Sequence, residues 1–218
     1  MSDGVIGWLR RALSPGTVGE SEPDYAVRLV VGLGNPGKEY AANRHNVGFW
    51  TVNRLARRHG IEFSTSGQVS LGQGRIGERE VALAKPRTYV NKSGEAVWNL
   101  IKRLELDDAK ELLVVCDDLD LPVAKTRLRA GGGHGGYKGL RSIIEATASD
   151  QFPRLRIGIG RPVVNGKPSS EPDVVADYVL SDPPASERDL LDEAVERAIA
   201  AIEAVLAEGI EAAMARFN

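Results

Sequence analysis

The sequence contains a single cysteine, Cys116, which excludes an intramolecular disulfide and any cysteine-rich metal site. No apolar run approaches the roughly 20 residues that a membrane-spanning helix needs, so no membrane role is expected. Nothing near the N-terminus has the apolar core of a secretory signal, and a reducing cytoplasm is the expected compartment. There is no visible internal repeat and no GxSxG elbow, and Cys116 lies inside an apolar run, so no serine or cysteine nucleophile presents itself. Strong net charge is also lacking: the formal total is -2, which gives no global sign of a polyanionic partner. That total conceals an asymmetry. From Lys125 to Lys167 nine Lys or Arg face only Glu145 and Asp150, whereas from Glu171 to Glu196 nine acids face only Arg188. A basic face inside a neutral total suits a selective nucleic-acid binder.

What is present is a 218-residue chain, 42% hydrophobic and 27% charged, enough for one generous globular domain. It is organised around Val27 to Trp50. Leu29 to Leu33 reads as a buried strand feeding a tight glycine turn. The following loop crowds Asn35, Tyr40, Asn43, Arg44, His45 and Asn46 into the position where open α/β sheets hold their ligand crevice. Apolar residues at 49, 52, 55 and 56 predict a helix over Val47 to His59 that stops at Gly60. Glu62 to Arg79 is polar and glycine-rich, expected as a mobile loop with an edge hairpin, before a strand over Glu80 to Ala84 that Pro86 ends.

Val97, Leu100, Ile101 and Leu104 have the spacing of an amphipathic helix, and Leu112 to Cys116 is a second buried strand discharging into Asp117, Asp118 and Asp120. Alternation over Lys125 to Ala130 puts Lys125, Arg127 and Arg129 on one strand face. GGGHGGYKG, residues 131 to 139, is expected to be a flexible or closely approached loop. Leu140, Ile143, Ile144 and Thr147 make the next helix, and Arg154 to Gly160 a strand with Arg154 and Arg156 on a common face. A short Tyr178 to Leu180 segment and Pro183-Pro184 precede one or two alanine-rich helices from about Ser186. Strands alternating with helices imply an α/β fold, a single-domain, mostly parallel, twisted mixed sheet with helices on both faces. Residues 25–218 are taken as that domain. Met1 to Asp24, rich in breakers, reads as a flexible N-terminal extension, with a membrane-surface or partner helix as the alternative.

Gly32-Leu-Gly-Asn-Pro-Gly37 matches the GxGxxG dinucleotide fingerprint, but that motif requires a helix to begin inside it, and here polar residues intervene first. The turn is therefore read chiefly as one that presents Asn35, with a plain structural turn and cofactor binding as alternatives. His45 can act as a general base if a carboxylate fixes its tautomer, and Asp117, at the end of a neighbouring buried strand, can supply one; a capping or core histidine is the plainer alternative. Asp118 and Asp120 are read as turn or cap acids. A two-metal site on the three acids lacks a further His or Glu nearby in sequence. A His–Asp pair without a nucleophile suggests direct attack by water, with Asn35 and Asn91 as neutral amide donors for the developing oxyanion. Asn91 equally suits the N-cap of the 92–104 helix.

Five segments resemble the bacterial peptidyl-tRNA hydrolase family: GLGNPGxxYxxxRHNxG at 32–48, KPRTYVNKSG at 85–94, DDLDLP at 117–122, RLRAGGGHGG at 127–136 and RIGIGRP at 156–162. The resemblance runs in order from about Val27 to about residue 205. It implies hydrolysis of the ester between a peptide and the 3'-terminal ribose of tRNA, recycling tRNA from prematurely released chains, by a typically monomeric enzyme that needs no metal or cofactor. It implies His45 as the base, Asp117 as its support, Asn91 polarising the scissile region, and Asn35 on the peptide main chain, favouring N-blocked substrates. Tyr40 and Tyr89 would line the place of the terminal nucleotide and peptide, and Arg129 and Arg156 would clamp a tRNA phosphate. Three positions depart from the family pattern. Tyr137-Lys138 stand where His-Asn is usual, so Lys138 would take the place of a substrate-contacting amide; Val90 replaces a common methionine, and Asn43 a frequent threonine. A non-catalytic RNA-binding relative of the family is the alternative reading.

Overall fold

The computed structural model describes residues 26–218, so the expected extension over Met1 to Asp24 lies outside the described residues. Strand β1 (Leu29–Gly32) is buried at every position, the pattern of a strand covered on both faces. It pairs in parallel with β4 (Arg79–Pro86) on one side and β5 (Leu112–Asp118) on the other, Val30 lying opposite Leu83 and Leu113. Strand β7 (Arg154–Gly158) continues the parallel centre beside β5. Antiparallel strands finish each side: β2 (Ser64–Ser66) and β3 (Val69–Ile76) beyond β4, and β6 (Thr126–Arg129) beyond β7. The seven-stranded order is β2-β3-β4-β1-β5-β7-β6.

Two cores sandwich this sheet. One joins Val30, Leu83, Leu113, Val115, Leu155 and Ile157 to helices α1 (Val47–Arg58), α5 (Ala185–Glu208) and α6 (Ile210–Phe217). The other joins Leu29, Val31, Leu112, Val114 and Phe152 to α2 (Ser93–Arg103) and α3 (Lys138–Thr147). The period-two alternation of each strand assigns its residues to one core or the other. At the β6 edge, the Asn218 amide donates to the Leu128 carbonyl at 3.1 Å and its oxygen accepts the Leu128 N–H at 2.7 Å, so one side chain satisfies both backbone groups of Leu128 on the strand's open side.

The edge hairpin expected within Glu62 to Arg79 is the antiparallel pair of β2 and β3, and these regular strands take up most of the span expected as a mobile loop. Its glycines are packing residues: a Cβ on Gly72 would stand 2.8 Å from Ile61 Cγ2 and one on Gly74 2.7 Å from Ile61 Cγ1. Glycine thus replaces the apolar side chains that would have announced the strand. Asp117 and Asp118 lie inside β5 and are buried, rather than following it. The pair β8 (Val163–Val164) and β9 (Lys167–Pro168), turning at Asn165-Gly166 with both residues at positive φ, was not anticipated, although Asn-Gly between short apolar runs is the sequence mark of such a hairpin. The segment 172–179 forms a helix, α4 (Pro172–Val179), including Tyr178.

Candidate active site

Three segments leave the C-terminal ends of the parallel strands and meet over the sheet. The first, after β1, contains a one-turn 3-10 helix, Arg44–Asn46, that leads into α1. It sits directly on the strands because Gly48 has no side chain: a Cβ there would stand 2.5 Å from the Val115 carbonyl oxygen and 2.6 Å from that of Leu33. This close approach brings His45 to the end of β5, where its Nδ1 lies 2.8 Å from Asp117 Oδ1. Alternation along β5 sends Asp118 to the other face, where its Oδ2 lies 2.6 Å from Arg156 Nε. Asp118 Oδ1 also accepts the Asp120 N–H at 2.8 Å, the turn role expected of it, whereas Asp120 pairs with Arg161 at 2.7 Å, and neither ion pair was expected.

With Asp117 accepting at Nδ1–H, the His45 Nε2 is the ring atom free to take a proton. Burial pulls the imidazole pKa down, but the Asp117 charge and hydrogen bond outweigh it and leave it raised above 6.5, against a smaller opposing effect of Lys138. The turn is held from behind. Arg44, buried, donates to Glu187 at 2.7 Å and to the Ser181 hydroxyl at 2.6 Å and lies over the Tyr178 ring at 4.3 Å, while Asn43 donates to Asp182 at 2.8 Å.

Asn35 is buried, and its side-chain oxygen accepts the Val90 N–H at 2.9 Å. Asn46 exchanges two hydrogen bonds with the Asn35 backbone, at 2.8 and 3.0 Å. With its oxygen committed, Asn35 has only its NH₂ to offer, a donor suited to a carbonyl oxygen. Asn91 is exposed at the mouth, in the one-turn 3-10 helix Val90–Lys92. It is not the N-cap of α2: that position is Lys92, and no side chain caps it. The helix begins one residue later than the N-cap alternative requires, and the Asn91 amide stays free for other use.

A cleft of about 650 Å³ opens over these residues, bounded by His45, Asn35, Tyr89, Asn91, Asp117 and Lys138, and lined further by Arg156, Arg161, Val175 and Val179 of α4, and Leu180 just after it. Lys138 is the first residue of α3 and exposed. Tyr89 is 57% exposed, and Tyr40 reaches the region only by packing edge-on against it, centroids 6.4 Å apart. Arg129 is exposed on the outer strand β6, away from the cleft lining, and shares a face with Arg127, Arg154 and Arg156. Arg154 is buried and donates to the carbonyls of Gly132, Gly133, Asp150 and Phe152, fixing the start of the glycine loop. Among the described residues no three His, Cys, Asp or Glu side chains converge as a metal site.

The sequence drew notice to Tyr137 and Asn46 without giving either the role it has in this site. Tyr137 donates its hydroxyl to Asp117 Oδ1 at 2.8 Å, and burial followed by the Asp117 charge pushes its phenol pKa well above the ordinary 10. Asn46, which holds Asn35, was one polar residue among several; only its place beside His45 in the RHN triplet singled it out.

The peptidyl-tRNA hydrolase family model matches residues 29–218. The peptidyl-tRNA hydrolase of Chloroflexus aggregans is 48% identical over 191 residues, covering 87% of this chain and 98% of that protein. That of Syntrophomonas wolfei is 45% identical over 193 residues, covering 88% and 100%. The crystal structure of peptidyl-tRNA hydrolase from Acinetobacter baumannii superposes with a TM-score of 0.82 at 36% identity, covering 91% of this chain and 97% of that one.

Proposed function

The chain belongs to the peptidyl-tRNA hydrolase family, and from that membership we propose that it cleaves the ester between a peptide and tRNA, recycling tRNA from prematurely released chains. The observation that carries the mechanism is the His45–Asp117 bond at 2.8 Å, with the free ring nitrogen at an open cleft. His45 takes a proton from water, and the hydroxide adds to the ester carbonyl. The resulting oxyanion is met by the NH₂ groups of Asn35 and Asn91. When the carbonyl re-forms, the C–O bond to the ribose breaks, and His45 returns the proton to the leaving 3'-oxygen. Asp117 holds the tautomer and stabilises the transient imidazolium.

Tyr89, with Tyr40 behind it, offers a stacking face to the unpaired terminal base, and Lys138 offers an ammonium to a phosphate or carbonyl oxygen. The exposed Arg129, with Arg156 diagonal to it on the same sheet face, opposite Arg127, takes a backbone phosphate of the RNA. We take residues 25–218 as the functional unit, acting as a monomer in the cytoplasm. Among the described residues no helix is long and apolar enough to cross a membrane.

Single-turnover hydrolysis of an N-acetylated aminoacyl-tRNA tests this reading, with the unblocked aminoacyl-tRNA as control. Wild type should cleave only the blocked substrate, and His45→Ala should lose roughly 10²-fold or more of the rate. A wild-type protein that binds tRNA and leaves the ester intact would instead be the non-catalytic RNA-binding relative.

A further inference from the structure

Asp117 Oδ1 is 2.8 Å from His45 Nδ1 and 2.8 Å from the Tyr137 hydroxyl, and the two rings pack with centroids 5.4 Å apart. One carboxylate oxygen can accept both bonds, but each donor withdraws electron density that the other would otherwise use. We propose that Tyr137 is a positioning residue for the hydrolytic reaction: its phenol fixes the Asp117 carboxylate and moderates that carboxylate's hold on the His45 proton. The inference rests on the reading of His45 as the base.

The geometry is built for this. Strand alternation sets the direction in which the Asp117 side chain leaves β5 but not its side-chain torsions. Donors from two separate segments, the 44–46 turn and the residue preceding α3, fix those torsions. The Tyr137 ring is itself held, packed against the core beneath α3, and Gly139 makes room for it: a Cβ there would stand 2.8 Å from Tyr137 Cε1.

The other charges around His45 are mostly neutralised in pairs. Arg44, on its own turn, is taken by Glu187 of α5; at the strand ends Asp118 is taken by Arg156, and Asp120 by Arg161. His134, in the glycine loop, accepts the Gly136 N–H at 3.0 Å. Among the described residues lining the cleft, Lys138 is the remaining cation, and it acts on the imidazole through charge. Asp117 is therefore the dominant attraction on the His45 proton, and Tyr137 the group that shares it. An unshared carboxylate would keep more of the imidazole protonated at neutral pH, where a base must be neutral to act.

The chain has three histidines, so histidine-selective NMR resolves His45, with His59 and His134 as internal controls. In Tyr137→Phe the ring stays and the hydroxyl goes. The His45 titration midpoint should rise by several tenths of a pH unit to about one unit, a shift resolvable against the usual spread of such values. The controls should not move, and the acid limb of the single-turnover rate should follow His45. Site-specific 3-fluorotyrosine at position 137, a stronger donor on an intact ring, should move the midpoint the opposite way and covers the case in which Tyr137→Phe does not fold. A His45 midpoint that is unchanged or lowered in folded Tyr137→Phe, or unmoved by the fluorinated ring, overturns the proposal. Because the titration needs no substrate, a shifted midpoint with an intact ester supports the coupling of Tyr137 to His45 and counts only against the hydrolase reading.

Discussion

At the scale of single residues, the site is an arrangement of hydrogen bonds that leaves selected atoms unused. Asn35 spends its oxygen on Val90 and keeps its NH₂; His45 spends Nδ1 on Asp117 and keeps Nε2. Asp117→Asn preserves shape but replaces an acceptor with a group that can donate, which favours the wrong imidazole tautomer. The single-turnover rate should fall by roughly 10²–10⁴-fold with substrate affinity little changed. The pH dependence has a definite sign. The His45 pKa is raised by Asp117, so the neutral, basic form appears only above that raised value, and activity should rise with pH through a limb lying above 6.5. The stability linkage runs the other way. The charged pair stabilises the fold fully below the unfolded-state value of 6.5 and loses that contribution as pH rises through the raised folded value. Urea unfolding of wild type and Asp117→Asn should therefore differ more at low pH than at high pH within the range where Asp117 stays ionised.

At the scale of elements, the side chains proposed for catalysis are placed by contacts made behind them. Gly48 lets α1 rest on the strand backbones, Arg44 ties the His45 turn to the segment before α5, and Arg154 gathers four carbonyls at the root of the glycine loop. The last arrangement is the most exposed to mutation. Arg154→Met would remove the guanidinium bonds to the carbonyls of 132, 133, 150 and 152, of which Phe152 is buried, a loss of about 2–4 kcal/mol for several bonds to a charged group. Amide hydrogen exchange over 131–136 should accelerate in that variant, because the loop loses its anchor while α3 keeps its own core contacts; unchanged exchange there would mean that the glycines are held some other way. The basic strand pattern thus divides by function. Arg154 is structural, whereas Arg129, on the same face, is exposed.

At the scale of the whole molecule, a net charge of -2 coexists with a basic β6–β7 edge and an acidic α4–α5 side, so an RNA is expected to bind in one orientation. Arg127 and Arg129 are exposed and make no ion pair among the described residues, so their charge is available to phosphate. Arg129→Gln should weaken substrate binding and reduce the slope of log kcat/KM against log salt by about one, the signature of one lost phosphate contact. An unaltered slope would remove Arg129 from the RNA path. The sequence by itself determined the α/β class, the buried strands β1 and β5, the helices expected over 47–59, 92–104 and from 140, and the triplet RHN with the acids at 117, 118 and 120, because hydrophobic periodicity and turn chemistry are local properties. It offered the edge hairpin of β2 and β3 only beside a mobile loop, because Gly72 and Gly74 stand where Ile61 fills the space, and it left Asn91 open between capping and catalysis. The sequence offered Asp117 as the carboxylate for His45; only the tertiary structure decided that the two meet at hydrogen-bond distance, that Arg154 serves the loop, and that Tyr137 shares Asp117. Each depends on where separate segments meet at the ends of parallel strands, and the spacing of residues along a chain does not contain that distance.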